Sequence, residues 1–209
     1  MSANKLFCLD TSREASLHRG LARLAKPEVQ ATSLAFFTPD EIEALIEATK
    51  FVSFRQATKV VGNGVIQDME VCFPAPRKDM FDKCACLLEE GLNRWPNADH
   101  MFDRPITLND FAIQKYPAGS EGIGIHKDGL RYKNIVLIIT LAGQSRLFKT
   151  KDREGTRRVV LNDVPGRLVM IKAPGFKGMA ADNRLLHGVD RVTKGRLSIG
   201  FRQEVLPQG

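Results

Sequence analysis

The sequence predicts a mixed α+β protein, a double-sheet jelly roll or barrel with helices packed on one sheet. Three observations carry this. Eight short apolar segments recur between residues 109 and 201, at 109–116, 123–126, 134–141, 146–150, 157–161, 167–171, 187–189 and 196–201. Turn residues separate them, notably Pro117-Ala118-Gly119, Ala142-Gly143, Asn162-Asp163-Val164-Pro165-Gly166 and Ala173-Pro174-Gly175, and this regular spacing is that of strands in a sandwich or barrel. Segments of helical periodicity precede them, and a sheet face that helices can cover makes a sensible core.

Length and composition agree. At 209 residues the chain suits one domain, with 1–106 supporting or covering a core over 107–206. Apolar residues make up 43% and charged residues 26%, the proportions of an ordinary globule. The longest apolar run, 135–142, is too short to span a bilayer, so no membrane partner is expected. Residues 1–20 contain Asp10, Arg13 and Glu14 and no apolar stretch, so no signal peptide is expected. Cys8, Cys72, Cys84 and Cys86 are then expected as free thiols in a cytoplasmic protein. The net charge of +7 favours partners that carry phosphates or carboxylates. It does not separate a nucleic acid from a small diacid. The pattern fixes no oligomeric state.

Taken in order, Leu17, Leu21 and Leu24 have helical spacing, which predicts a short amphipathic helix ending before Pro27 and covering a sheet edge. Leu34-Ala35-Phe36-Phe37 reads as a strand. Thr38, Pro39 and Glu41 then form a helix start with a capping box. Ile42, Leu45, Ile46 and Thr49 mark one face of that helix, which runs to about Lys50. Residues 51–75 read as strands around a Gly62-Asn63-Gly64 turn, a hairpin placed either to cover a site or simply to complete a sheet. Met80, Phe81, Cys84, Leu87, Leu88 and Leu92 predict a helix over 78–94, ended by Trp95-Pro96. Cys84 and Cys86 lie in that pattern, where i and i+2 face apart, so core packing is expected rather than a metal pair. His18 and His100 are expected at the surface.

The chemistry is concentrated in two pieces, Gly124-Ile125-His126-Lys127-Asp128-Gly129 and, well downstream, Leu186-His187-Gly188-Val189. On an extended strand His126 and Asp128 point to one side and can grip one ion. A third ligand must come from another strand, and His187 is the other histidine of the β region. The bland alternative is a core histidine hydrogen-bonded to an aspartate. Two imidazoles and one carboxylate can occupy one face of a six-coordinate iron(II), leaving positions for a co-substrate and dioxygen. Further on, Arg196-Leu197-Ser198-Ile199-Gly200-Phe201-Arg202 places two arginines on one face of a strand. Arginines directed into a small barrel need anions, and the planar fork suits a carboxylate. Iron beside a buried arginine describes a pocket for an α-keto dicarboxylate.

From about residue 109 to 204 the chain resembles the AlkB-like iron(II)/2-oxoglutarate dioxygenases. The matching pieces are Gln114-Lys115-Tyr116-Pro117, His126-x-Asp128, Val164-Pro165-Gly166-Arg167-Leu168-Val169-Met170, His187-Gly188-Val189, and Arg-x5-Arg ending in Phe201-Arg202. The resemblance implies a double-stranded β-helix and an oxidoreductase that hydroxylates a C–H bond. It implies His126, Asp128 and His187 as the iron ligands. It implies that Arg196, with Tyr116 assisting, binds the distal carboxylate of 2-oxoglutarate, and that Arg202 lies near the keto-acid end. Gln114 and Ser198 stand where such enzymes commonly carry asparagine. Asp128, in place of a small residue, argues against a halogenase, because its carboxylate occupies the position a halide would need.

Three readings of the substrate stay open, and the basic balance together with the resemblance tips the expectation to the first. The first is oxidative removal of alkyl groups from nucleic acid or its components. For it stand the basic balance and the cluster Arg146, Lys149, Lys151, Arg153, Arg157 and Arg158, which could track phosphates or simply be a solvated hairpin tip with Asp152 and Glu154 interleaved. Against it, the repair type carries an acidic residue two positions after the aspartate ligand, and here that position is Leu130. Tyr132 is a candidate for stacking a base or simply a packed aromatic. The second is hydroxylation of a small or amino-acid-like molecule, with Leu130, Arg131 and the hairpin at 55–70 as the pocket. The third is a non-catalytic binding module, which the complete triad and both arginines oppose.

Overall fold

The computed structural model describes residues 6–62 and 64–205; Asn63 of the expected turn lies outside them. The elements, in chain order, are α1 (Thr11–Leu24), β1 (Ala31–Ala35), α2 (Pro39–Thr49), β2 (Arg55–Gln56), β3 (Val60–Val61), β4 (Val65–Asp68), β5 (Glu70–Cys72), α3 (Asp79–Asn93) and α4 (Ala98–Met101). The β-rich half follows with β6 (Asp110–Tyr116), β7 (Gly122–His126), β8 (Tyr132–Gly143), β9 (Arg146–Thr150), β10 (Val159–Val160), β11 (Arg167–Lys172), β12 (Leu186–Asp190) and β13 (Arg196–Glu204). Among the described residues no helix is long and apolar enough to cross a membrane.

The strands form two antiparallel sheets. One runs β1-β11-β8-β13-β6-β5-β2 and the other β10-β9-β12-β7-β4-β3. This is the double-sheet core that the spacing of turns predicts, and all eight expected strands are present. The central strands of the larger sheet are covered on both faces, so they read as nearly continuous apolar runs. On β13, Leu197, Ile199 and Phe201 face the helices, and on β11 Leu168 and Met170 do the same. Leu17, Leu21, Leu45, Phe81, Leu88 and Leu92 meet them from α1, α2 and α3. Full burial of each such side chain stabilises by about 1.5–3 kcal/mol. The opposite faces point between the sheets, where Tyr116, Val136, Leu147, Val169, Ile171 and Val189 pack.

Several expectations shift in register or environment. The first strand is Ala31–Ala35, three residues earlier than the apolar run suggests. Phe36 and Phe37 lie beyond it, and their N–H groups both donate to the carbonyl of Gly166 (3.2 and 3.0 Å). Of the two cysteines in α3, Cys84 is buried and Cys86 exposed, as a two-residue offset on a helix requires. All four cysteines are free. His18 is not a solvated surface group, because its Nε2 meets the Gly91 carbonyl at 3.0 Å and bridges α1 to α3. His100 is exposed on α4.

The capping box of α2 does more than start a helix. Thr38 and Glu41 make both reciprocal bonds. Glu41 also accepts from the Phe7 N–H (2.7 Å) and from both terminal nitrogens of Arg13, with Nη1 at 2.8 Å. One buried carboxylate thus joins the start of α2, helix α1 and the chain before it. Burial pushes the Glu41 carboxyl up, but the Arg13 bond and the two backbone donors outweigh it, so it titrates below 4.5. A lowered carboxyl adds stability that is fully present above the unfolded value and is lost as pH falls through the folded one. Glu41→Ala is therefore expected to cost about 3 kcal/mol at neutral pH in denaturant unfolding. The variant should also lose part of the stability decline below about pH 4.5.

Candidate functional site

The site is assembled by strand register. On the smaller sheet β7 pairs antiparallel with β12, and His126 stands directly opposite His187. Residues opposed in this way project to the same face with their side chains adjacent. The two imidazole rings lie 4.4 Å apart between centroids, at 49°. The pairing is irregular between His187 and Val189, and Gly188 sits at that point. A Cβ there would lie 2.9 Å from the Ile123 carbonyl oxygen. At the other end of β7, Gly122 has φ +85° and a Cβ would fall 2.0 Å from the Val189 oxygen. Glycine at both positions lets the two strands close and brings the histidines together.

Asp128 lies just past the end of β7, not within the strand as the i, i+2 argument supposes. The turn still delivers its carboxylate. His187 Nε2 is 3.6 Å from Asp128 Oδ2, and one donor atom from each of His126, Asp128 and His187 lies within 4.8 Å of the others. The backbone fixes both rings. His126 Nδ1 is 2.9 Å from the Gly124 carbonyl and His187 Nδ1 is 3.3 Å from that of Leu185. Donation from Nδ1 leaves Nε2 as the lone-pair nitrogen, the form a metal requires. Burial, then the neighbouring His187, lowers the His126 pKa to about 4, so its ring is neutral at physiological pH. Burial opposes ionisation of Asp128, but the two imidazoles, Arg202 and Arg184 outweigh it and hold the carboxyl below its ordinary value. Two imidazoles with Nδ1 engaged by backbone carbonyls, beside an ionised carboxylate, are the donor set of a divalent iron site.

The residues expected to bind an anion lie on β13 and its neighbour β6. Arg196, Ser198 and Arg202 share the inter-sheet face, in register with Tyr116, Gln114 and Asp110 respectively. Three buried polar atoms on this row have no partner in the structure: Arg196 Nε, Ser198 Oγ and Arg202 Nε. Buried donors without acceptors are rare and costly, so this aligned set is a candidate site for a small anion. Burial pushes the Tyr116 phenol up to about 12 even though Arg196 and Arg202 pull it down, so it stays a neutral donor across the ladder from Arg196.

A cavity of about 290 Å³ joins part of this machinery. His126, Asp128, Arg202 and Gln114 line it from the core, and Ala57, Thr58, Val61 and Gln67 from the hairpin region. Residues of the segment 55–70 therefore line one side of the cavity, in line with the first of its two expected roles. Arg131 and Tyr132 line the cavity as well. The Tyr132 ring is flanked by Arg131 and Arg202 at 4.8 and 5.1 Å, and its hydroxyl donates to Asp110 at 3.3 Å. Leu130 is 57% exposed and is not among the lining residues. Arg196 and Tyr116 border a separate depression with Gly143 and Lys194.

Three participants have no sequence signal. Asp110 is buried and accepts from Arg202 Nη1 at 2.8 Å. Asp163 pairs with Arg196 Nη1. Arg184 donates to the Asp128 carbonyl and to that of Ala181, so it clamps the loop that carries the carboxylate. A charged residue in a turn looks the same in sequence whether it faces water or a buried partner.

No family model matches the chain, and no curated protein matches it. Solved structures do. A prolyl hydroxylase from Trichoplax adhaerens, in complex with a hypoxia inducible factor peptide fragment, superposes with TM-score 0.64 at 13% identity, over 95% of this chain and 94% of that one. An oxidoreductase of the 2OG-Fe(II) oxygenase family from Burkholderia pseudomallei gives 0.58 at 14%, over 96% and 94%. OsALKBH1 gives 0.56 at 14%, over 83% and 98%. The fold is thus the double-stranded β-helix of 2-oxoglutarate/iron(II) oxygenases. The likeness is to that wider class, since an AlkB homologue is one of several neighbours.

Gly122→Ala tests the register argument. Its methyl group cannot fit beside Val189, and the positive φ adds strain. The variant is expected to lose at least about 2 kcal/mol in denaturant unfolding. A Gly119→Ala control, where a Cβ would meet nothing within 4 Å at φ +83°, should lose only the backbone part, about 1 kcal/mol.

Proposed function

We propose that the protein is an iron(II)/2-oxoglutarate-dependent dioxygenase that hydroxylates a C–H bond. The observation that carries this is the convergence of His126, Asp128 and His187 beside a row of buried, unpartnered donors on β13. The three residues would hold iron(II), which when bound supplies the means to activate dioxygen and couple its reduction to oxidation of 2-oxoglutarate and of a substrate C–H bond. The residues present fit that ion in number and donor type.

The chain's own contribution is binding, orientation and exclusion of water. Arg202, held by Asp110, borders the ligand triad and receives the keto-acid end of the co-substrate. Arg196, Tyr116 and Ser198 receive its distal carboxylate, with Gln114 beside them. Backbone carbonyls of Gly124 and Leu185 engage Nδ1 of each imidazole and leave Nε2 to the metal. Arg184 and Lys127, which donates to the Asp182 carbonyl at 2.7 Å, tie the turn that carries Asp128 to the segment before β12. The segment 55–70 limits access to the pocket. The reading as a non-catalytic module would leave this complete donor set without a purpose.

For the substrate, the geometry supports a small or amino-acid-like group best. The cavity is small, and Tyr132, the aromatic candidate for stacking a base, has its ring and hydroxyl engaged by Arg131, Arg202 and Asp110. Two members of the basic cluster, Arg146 and Arg158, are spent on Asp190 at 2.6 and 2.7 Å. The nucleic-acid reading keeps one observation in its favour. Lys151, Arg153 and Arg157 of the same hairpin are exposed.

Iron-dependent release of succinate from 2-oxoglutarate is the direct assay. His187→Ala and Asp128→Ala are each expected to lower it by at least about a thousandfold, because neither leaves a complete ligand set. Retained turnover in either would defeat the assignment. Retention on single-stranded oligonucleotides at low salt should be weak. Tight retention that falls steeply with salt would favour the nucleic-acid reading instead.

A further inference from the structure

Arg196 is the arginine the motif assigns to an incoming dicarboxylate, yet its charge is already met inside the protein. Its side chain is 2% exposed and its Nη1 donates to Asp163 Oδ2. The same nitrogen donates to Ser145 Oγ at 2.9 Å. Asp163 lies on the segment between β10 and β11, and its side chain is 8% exposed. Thr140 Oγ1, on β8, donates to the same Asp163 oxygen at 3.1 Å. On its other edge the guanidinium is free, because Nε has no partner and neither does Ser198 Oγ two residues along the strand. Nη1 and Nε serve different edges of the planar fork, so a second carboxylate can be taken without expelling the first.

We propose that Asp163 is an internal counter-carboxylate for Arg196, a positioning residue that sets how tightly the distal carboxylate of 2-oxoglutarate is held. The inference rests on the co-substrate reading above. Asp163 does two things. It fixes the guanidinium so that the Nε edge is presented to the row of donors, and it neutralises the cation. A buried guanidinium without an anion would be strongly destabilising, so the pair lets the protein fold before any co-substrate arrives. The cost falls on affinity. An incoming carboxylate finds a cation already paired and a like charge across the fork. It gains hydrogen bonds but not the attraction of an unpaired charge.

The test compares 2-oxoglutarate with 2-oxopentanoate, which has the same chain length and a methyl group in place of the distal carboxylate. Binding is measured by calorimetry on protein loaded with cobalt(II), where no turnover intervenes. Wild type is expected to prefer 2-oxoglutarate by less than about tenfold, the gain of ordinary hydrogen bonds. Asp163→Asn keeps the shape and an acceptor while removing the charge. It should bind 2-oxoglutarate at least about tenfold more tightly, as a charge-assisted pair does, with 2-oxopentanoate unchanged. The metal-free variant should melt below wild type and recover more on adding 2-oxoglutarate. Equal or weaker 2-oxoglutarate binding by the variant overturns the inference. So does a wild-type preference well above tenfold, a result that stands even if the variant fails to fold. If wild type binds neither oxo acid, the co-substrate reading falls and this inference falls with it.

Discussion

The opposition of His126 and His187 across two antiparallel strands is the constraint on which the rest of the structure depends. A shift of one residue in the β7–β12 register would turn one ring to the outer face. The register is held by glycines that allow the strands to approach and by the covered larger sheet behind them. Helices α1 to α3 bury that sheet's outer face, and the Arg13–Glu41 pair locks two of them to one another. The fold is therefore organised from the helical layer inward: apolar packing fixes the large sheet, the large sheet carries the arginines, and the small sheet carries the histidines facing them.

Charge compensation is the second theme. Arg202 has Asp110, Arg196 has Asp163, and Arg146 and Arg158 share Asp190. Arg196 and Arg202 each meet a buried carboxylate, so the net charge of +7 describes the outer surface far better than the space between the sheets. This bears on the substrate. A basic composition suggests polyanions, but several of the cations that suggest it are already satisfied by the protein. Among the described residues, the buried donor atoms without a partner are fewer, Nε of Arg196 and Arg202 and Oγ of Ser198 along one face of β13. Such a feature suits one small anion held in one orientation.

Much of this was legible in the sequence, for identifiable reasons. Helix α2 was readable because Thr38, Pro39 and Glu41 are local signals that act within one turn. The eight strands were readable because turn residues punctuate them. The inward direction of Arg196 and Arg202 followed from parity, since the alternation of Leu197, Ile199 and Phe201 fixes the other face. What was not legible depends on contacts between distant residues. Asp110, Asp163 and Arg184 carry no local pattern, and their partners lie 92, 33 and 56 positions away. The end of β1 was misplaced because Phe36 and Phe37 are apolar for packing and not for the ladder. Leu130 was drawn toward the pocket by its nearness to Asp128, but the turn that delivers the carboxylate carries the next side chain outward.

The central claim is that His126, Asp128 and His187 hold one divalent ion. It is tested most directly by a crystal of the protein grown with manganese(II) as a redox-silent stand-in for iron(II), with the anomalous signal of the metal recorded. The account predicts one strong peak at about 2.0–2.3 Å from Nε2 of both histidines and from an Asp128 oxygen. A peak elsewhere, or a His187 ring turned from the 126/128 pair with no metal between them, would contradict it.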